Sequence, residues 1–107
     1  MRRGEVRWYK FAAPDKKRPV LLLTRDAILE YLGDVTVAPI TSTVRDIPSE
    51  VWLSKEDGML QDCAVNCDHL QTVPKSRLGA LVTTLSAAKL RKVSDAIAFA
   101  LNLGRGG

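Results

Sequence analysis

One histidine, two cysteines and six aromatic residues are all that this 107-residue chain holds of the side chains on which much enzyme chemistry relies. A single histidine, His69, excludes a ribonuclease built on paired histidines within one chain. Its neighbourhood beside Asp68 makes a structural role the expectation. Cys63 and Cys67, with only His69 nearby, fall short of a four-ligand zinc site. Residues four apart on one strand share a face but lie about 13 Å apart, too far for a disulfide. Both are therefore expected to be buried free thiols in a reducing compartment. No run approaches the roughly 18 apolar residues of a membrane span. The opening Met1-Arg2-Arg3-Gly4-Glu5 lacks the apolar core of a signal peptide. A cytoplasmic protein is the expectation. Gly-rich phosphate loops, zinc motifs and Ser-His-Asp arrangements are also missing.

What is present is ordinary in amount and uneven in placement. Apolar residues make up 46 % and charged residues 26 % of the chain, as in a globular protein able to bury a core without staples. The length predicts one domain over residues 1–104, with 105–107 as a disordered tail. The net charge of +4 conceals a sign pattern. Residues 1–25 carry eight Lys/Arg against two acids, residues 26–70 two against nine, and residues 71–107 six against one. Two basic ends around an acidic middle suit a polyanion held at a patch, although a solvated surface gives the same counts.

Hydrophobic patterning predicts strands over Glu5–Phe11, Pro19–Thr24, Val35–Ile40, Glu50–Leu53, Cys63–Cys67 and Gly79–Thr84. His69–Val73 reads as a continuation of the fifth. A short helical turn is expected at Asp26–Gly33, with Asp26 as cap and Gly33 as stop, and a tight turn at Pro74–Leu78. Ser86 is a suitable N-cap for a last helix whose Leu90, Val93, Ile97 and Leu101 share a face, with Gly104 as its stop. Short strands followed by one amphipathic helix predict an α+β fold, mainly β, with a strongly curved antiparallel sheet covered by helices. Trp52 is expected to be packed.

Two strands carry polar groups at their ends: Arg18 just before the second, Thr41 just after the third. A guanidinium and a hydroxyl held by rigid strands can bind a phosphate. Arg18 also fits a solvated loop after Lys16 and Lys17, and the hydroxyls of Thr41, Ser42 and Thr43 also fit a turn that bonds its own backbone. Trp8 and Tyr9 lie between Arg7 and Lys10. Aromatics interleaved with basic residues can stack bases and hold phosphates, while Trp8 equally fits the core.

In order along nearly the whole chain, Arg3-Gly4-Glu5-Val6, Arg18-Pro19-Val20-Leu21-Leu22-Leu23, Val37-Ala38-Pro39-Ile40-Thr41-Ser42-Thr43, Gly58 to Asp68, Leu70-Gln71-Thr72-Val73 and Lys75-Ser76-Arg77-Leu78-Gly79 resemble the MazF/PemK family of toxin endoribonucleases. The resemblance implies an SH3-like barrel with attached helices, a homodimer and sequence-specific cleavage of single-stranded RNA with no metal or other cofactor. It also implies an antitoxin whose acidic, flexible C-terminal segment lies over the RNA groove. Arg18 and Thr41 fall on the family's catalytic arginine and threonine. Trp8, Lys10, Lys16, Lys17, Ser42 and Thr43 are the expected RNA contacts. The link Ala12–Lys17 is short and lacks the family's usual Gly-Ser-Glu stretch. Lys10 stands where an acid is common, which makes the groove more basic. The same fold also serves non-enzymatic toxins that inhibit DNA gyrase through a C-terminal aromatic. The end Leu103-Gly104-Arg105-Gly106-Gly107 has none. An RNA-binding module without catalysis is the third reading.

Overall fold

The computed structural model describes residues 1–11 and 17–104. The expected disordered tail, 105–107, and most of the short 12–17 link lie outside the described residues. Seven strands form a curved antiparallel sheet: β1 (Glu5–Lys10), β2 (Lys17–Leu22), β3 (Asp34–Thr41), β4 (Glu50–Leu53), β5 (Cys63–Asn66), β6 (Gln71–Pro74) and β7 (Leu81–Thr84). A four-residue helix, α1 (Asp26–Leu29), follows β2, and α2 (Ala87–Ala100) ends the fold. The spatial order is β4-β5-β3-β2-β1-β7, with β6 on β3. The result is a mostly antiparallel half-barrel with a C-terminal helix.

The central strand, β3, has β2 along one edge, with Val20 opposite Pro39 and Leu22 opposite Val37. Its other edge is shared. β6 pairs with the first half, from Asp34–Pro74 to Val37–Gln71, and β5 with the end, through Ile40–Val65 and Thr41–Ala64. The stretch after His69 is thus a separate strand rather than a continuation of β5. The chain reverses at Asn66–His69, where the Asp68 N–H donates to Asn66 Oδ1 at 3.0 Å and Ser49 Oγ donates to Asp68 Oδ2. Side chains make this turn, without glycine or proline, so it carried no breaker signal.

Alternating strand residues feed two cores on opposite sides of the sheet. Val6, Leu21, Ala38 and Ile40 join Val51, Leu53, Val65 and Val93 in one. Tyr9, Val20, Leu22, Val35, Val37 and Val73 form the other. Helix α2 covers the first. The Lys89 N–H donates to Ser86 Oγ at 3.1 Å, so Ser86 is the N-cap as expected. Val93 and Ala96 are buried, with Leu90 and Ile97 packed beside them. Burying Val93 alone is worth about 1.5–3 kcal/mol.

The helix ends differ from the sequence expectation. Leu101 is the C-cap and is half exposed, and Asn102 takes the left-handed conformation assigned to a later glycine. Arg25, not Asp26, occupies the N-cap position of α1, and Glu30 closes it three residues before Gly33. The Asp26 carboxylate instead accepts from the Arg3 N–H at 2.7 Å. Trp52 is 52 % exposed. Val51 and Leu53 take the inward positions of β4, and alternation sends Trp52 outward.

Candidate functional site

Strand β2 begins at Lys17, two residues earlier than expected, so Arg18 lies inside the strand, paired with Tyr9 of β1. Thr41 is likewise the last residue of β3 rather than the first beyond it. Each lies two residues past the Val20–Pro39 pair, so both project from the same face of adjacent strands. Their proximity follows from register. A one-residue slip of β2 against β3 would put them on opposite faces.

A cleft of about 650 Å³ opens over this end of the sheet. Trp8, Lys17, Arg18, Thr41, Ser42 and Thr43 line it, as do Met59, Leu60, Gln61 and Val82. A second concavity, about 370 Å³, shares Arg18, Ile40 and Thr41 and continues to Phe11, Arg45, His69 and Gln71. Arg18 and Thr41 therefore form the wall between two adjoining hollows. Lys17, Arg18 and Arg45 supply formal positive charge, and no carboxylate among the described residues lines either hollow. Arg18 is exposed and makes no ion pair among the described residues. Its planar fork is available for two oxygens of an anion. The arrangement suits a phosphodiester.

The Thr43 N–H donates to Thr41 Oγ1 at 3.1 Å. The local turn that a Thr-Ser-Thr sequence favours is thus present, and it fixes the Thr41 hydroxyl oxygen. With that oxygen accepting, its O–H can donate outward. The loop after Thr41 is held by Glu50, whose side chain is 3 % exposed. Its Oε1 accepts from the Arg45 N–H at 2.8 Å, and its Oε2 lies 3.5 Å from Arg45 Nη1.

Trp8 is half-buried and faces the cleft. Its backbone is bonded by the Gly79–Ala80 segment, with Gly79 N–H donating to Trp8 O at 2.8 Å and Trp8 N–H donating to Ala80 O at 3.1 Å. The neighbouring aromatic and cation do not share its role. Tyr9 is buried in the second core beneath Arg77, whose guanidinium lies 5.7 Å from the ring centre. Arg7 is bound to Glu5 at 2.8 Å and to Gly79 O at 2.9 Å. Lys10 is exposed at the end of β1, opposite Lys17, and does not line the cleft. Lys16 lies outside the described residues.

Cys63 reaches the cleft wall yet is buried. Burial raises its thiol pKa, and Asp62 and Asp57 add to the rise. Burial also pushes Cys67 up to about 11, with Asp68 and Glu50 contributing. Both are free, as expected, and both favour the protonated thiol over the nucleophilic thiolate. Among the described residues no group of three or more His, Cys, Asp and Glu gathers as metal ligands, and no helix is long and apolar enough to cross a membrane.

Leu60, Gln61, Arg45 and His69 are site residues that sequence reasoning missed. Leu60 is 83 % exposed at the rim of the cleft. His69 is exposed, not structural, because the Asn66–His69 reversal lifts it from the core.

Comparison with known proteins agrees with this architecture. The family described as PemK-like, MazF-like toxin of type II toxin-antitoxin system matches residues 2–101. Over 89 residues the chain is 43 % identical to endoribonuclease MazF3 of Mycobacterium tuberculosis, covering 83 % of this chain and 86 % of that protein. The solved structure of M. tuberculosis toxin MazF-mt6 superposes with a TM-score of 0.86 at 37 % identity, covering 94 % of this chain and 99 % of that one. A mycobacterial endoribonuclease in complex with its cognate antitoxin superposes with a TM-score of 0.88 at 28 % identity, over 98 % of each chain.

Proposed function

The chain belongs to the PemK-like, MazF-like toxins of type II toxin–antitoxin systems, and from that premise we propose that it is an endoribonuclease acting on single-stranded RNA. The observation that carries the reading is the convergence of Arg18 and Thr41 on one wall between two hollows that no acidic side chain among the described residues lines. A phosphodiester over that wall places one flanking nucleotide in each hollow. Trp8 offers a face on which a base can stack, and the Gln61 amide can hydrogen-bond a base edge. Lys17, Ser42 and Thr43 lie along the path of the backbone.

The reaction needs no protein nucleophile. The RNA 2′-hydroxyl attacks the adjacent phosphorus, the bond to the 5′-oxygen breaks, and the products carry a 2′,3′-cyclic phosphate and a 5′-hydroxyl. No metal is required. Arg18 binds the non-bridging oxygens and offsets the charge that grows on them in the transition state. Thr41, with its oxygen fixed by the Thr43 N–H, donates its O–H to the phosphate and helps hold the attacking and leaving oxygens in line. It is not the base, since an aliphatic hydroxyl is a poor proton acceptor near neutrality. DNA resists for want of the 2′-hydroxyl.

A homodimer is part of the reading, as is a cognate antitoxin. An acidic antitoxin segment would be attracted by Lys17 and Arg18 in the cleft and would exclude RNA from it; a relative has been solved in complex with its cognate antitoxin.

Incubating the purified protein with mixed-sequence single-stranded RNA in EDTA, then determining fragment ends by mass spectrometry, tests the reading. Discrete fragments ending in cyclic phosphate are expected, and Arg18→Ala should lose at least about 10²–10³-fold in rate. RNA left whole by the folded, antitoxin-free protein refutes it and makes gyrase inhibition or simple RNA binding the next assay.

A further inference from the structure

The mechanism above lacks a proton acceptor for the 2′-hydroxyl. Among the described residues the titratable groups of the two hollows are few: Lys17, Arg18 and Cys63 in the larger, Arg18, Arg45 and His69 in the smaller. Protonated lysine and arginine are donors with no lone pair to offer. Cys63 is buried, and its thiol holds its proton more firmly than usual. The Thr41 oxygen already accepts a backbone hydrogen bond. His69 is left.

Its placement suits the task. β5 and β6 run along the same edge of β3, with Val65 opposite Ile40 and Gln71 opposite Val37. The intervening turn therefore faces Ala38 and Pro39, just short of Thr41. Arg18 stands across the opposite edge of β3. Strands on either side of β3 are about 10 Å apart, room for a phosphate and its ribose between the imidazole and the guanidinium. The turn is held at three points: Ser49 Oγ to Asp68 Oδ2, Asp68 N–H to Asn66 Oδ1 at 3.0 Å, and Cys67 N–H to Ser49 O at 3.0 Å. Asp68 is thereby committed to the turn rather than to the imidazole.

We propose, resting on the endoribonuclease reading, that His69 is the general base that takes the proton from the attacking 2′-hydroxyl. The O–H bond breaks as the oxygen attacks phosphorus, the proton passes to an imidazole nitrogen, and the departing 5′-oxygen takes its proton from water. Water returns the imidazole to its neutral form. The charged groups facing His69 are Arg18 from β2 and Arg45 from the loop after β3. Asp68 is its neighbour in the turn, and Glu50 from β4 lies behind Arg45. A neutral imidazole is the working form of a general base, so kcat/KM should rise as pH increases.

Single-turnover and steady-state kinetics on RNA with His69→Ala and His69→Gln decide the matter. His69 is exposed, so both variants should fold. Both should lose about 10²–10⁴-fold in kcat with KM little changed. The rise with pH should vanish, and added imidazole should restore part of the rate to His69→Ala. A glutamine variant with wild-type kcat, or a loss that leaves the pH profile intact and imidazole without effect, overturns the assignment. If the wild type cuts RNA and Arg18→Ala does not, such a result removes His69 alone. A wild type that leaves RNA whole removes the endoribonuclease reading and His69 with it.

Discussion

Gly58→Ala should be among the most damaging single-atom additions to this fold. Gly58 closes the 3-10 turn Lys55–Asp57 at φ +95°, a left-handed conformation that costs an L side chain about 1–2 kcal/mol. A methyl group there would sit 2.2 Å from Thr83 Oγ1 and 2.7 Å from Thr83 Cβ. Thr83 cannot yield cheaply. It belongs to β7, opposite Val6, and its hydroxyl donates to Asp57 O at 3.0 Å. Overpacking of this kind costs about 1–3 kcal/mol. The displaced hydrogen bond removes about 0.5–1.5 kcal/mol more. Together these come to about 2.5–6.5 kcal/mol, a large share of the roughly 5–15 kcal/mol that holds a domain folded. For a chain of this size the melting temperature should fall by about 10–40 °C. Gly33→Ala is the control, because its φ is not left-handed and no atom lies within 4 Å of the added carbon. That variant should be neutral or slightly stabilising. Urea unfolding of both variants by circular dichroism gives the comparison. A Gly58→Ala loss under about 1 kcal/mol, or an equal loss at Gly33, would show that neither the backbone sign nor the Thr83 contact governs this turn.

Other outcomes can be checked in parallel. Arg18→Lys keeps a charge but loses the fork, so its kcat on RNA should fall between wild type and Arg18→Ala. Ser86→Ala removes the cap bond to Lys89 and should cost about 1 kcal/mol in urea unfolding. Cys67 keeps its proton to about pH 11 in the folded state and releases it near its ordinary 9.0 when unfolded. The folded state thus binds more protons between those values, and stability should fall as pH rises through them. Cys67→Ala should flatten that slope in thermal melts between pH 8 and 11.

Elements with a local signature were readable from sequence. β3, β4 and β5 are short apolar runs bounded by polar turns, and α2 combines a serine cap with apolar spacing of three and four. β6 was hidden because the reversal before it is made by Asn66, Ser49 and Asp68 rather than by glycine or proline. Trp52 illustrates the limit of composition. A large aromatic suggests a core, yet strand alternation between Val51 and Leu53 turns it outward. Arg18 and Thr41 stood out because each ends an apolar run. Nothing local marked Leu60, Gln61 or Arg45, and His69 stood out only as the one histidine and was read as structural, since all four reach the site only through pairings between distant segments. Tyr9 was grouped with Trp8 by adjacency, and the period of two sends them to opposite sides of the sheet.

The floor and the rim of the cleft have different mechanical origins. Arg18 is fastened in the ladder between β1 and β2 and Thr41 in the ladder between β3 and β5, whereas Met59, Leu60 and Gln61 come from a connection outside any strand. Chemistry common to every phosphodiester thus sits on the rigid part, and contacts able to tell one base from another sit on the part most tolerant of exchange. Such a division makes the scaffold retargetable. Transplanting residues 59–62 between relatives should change which RNA is cut while leaving the cutting step as it was.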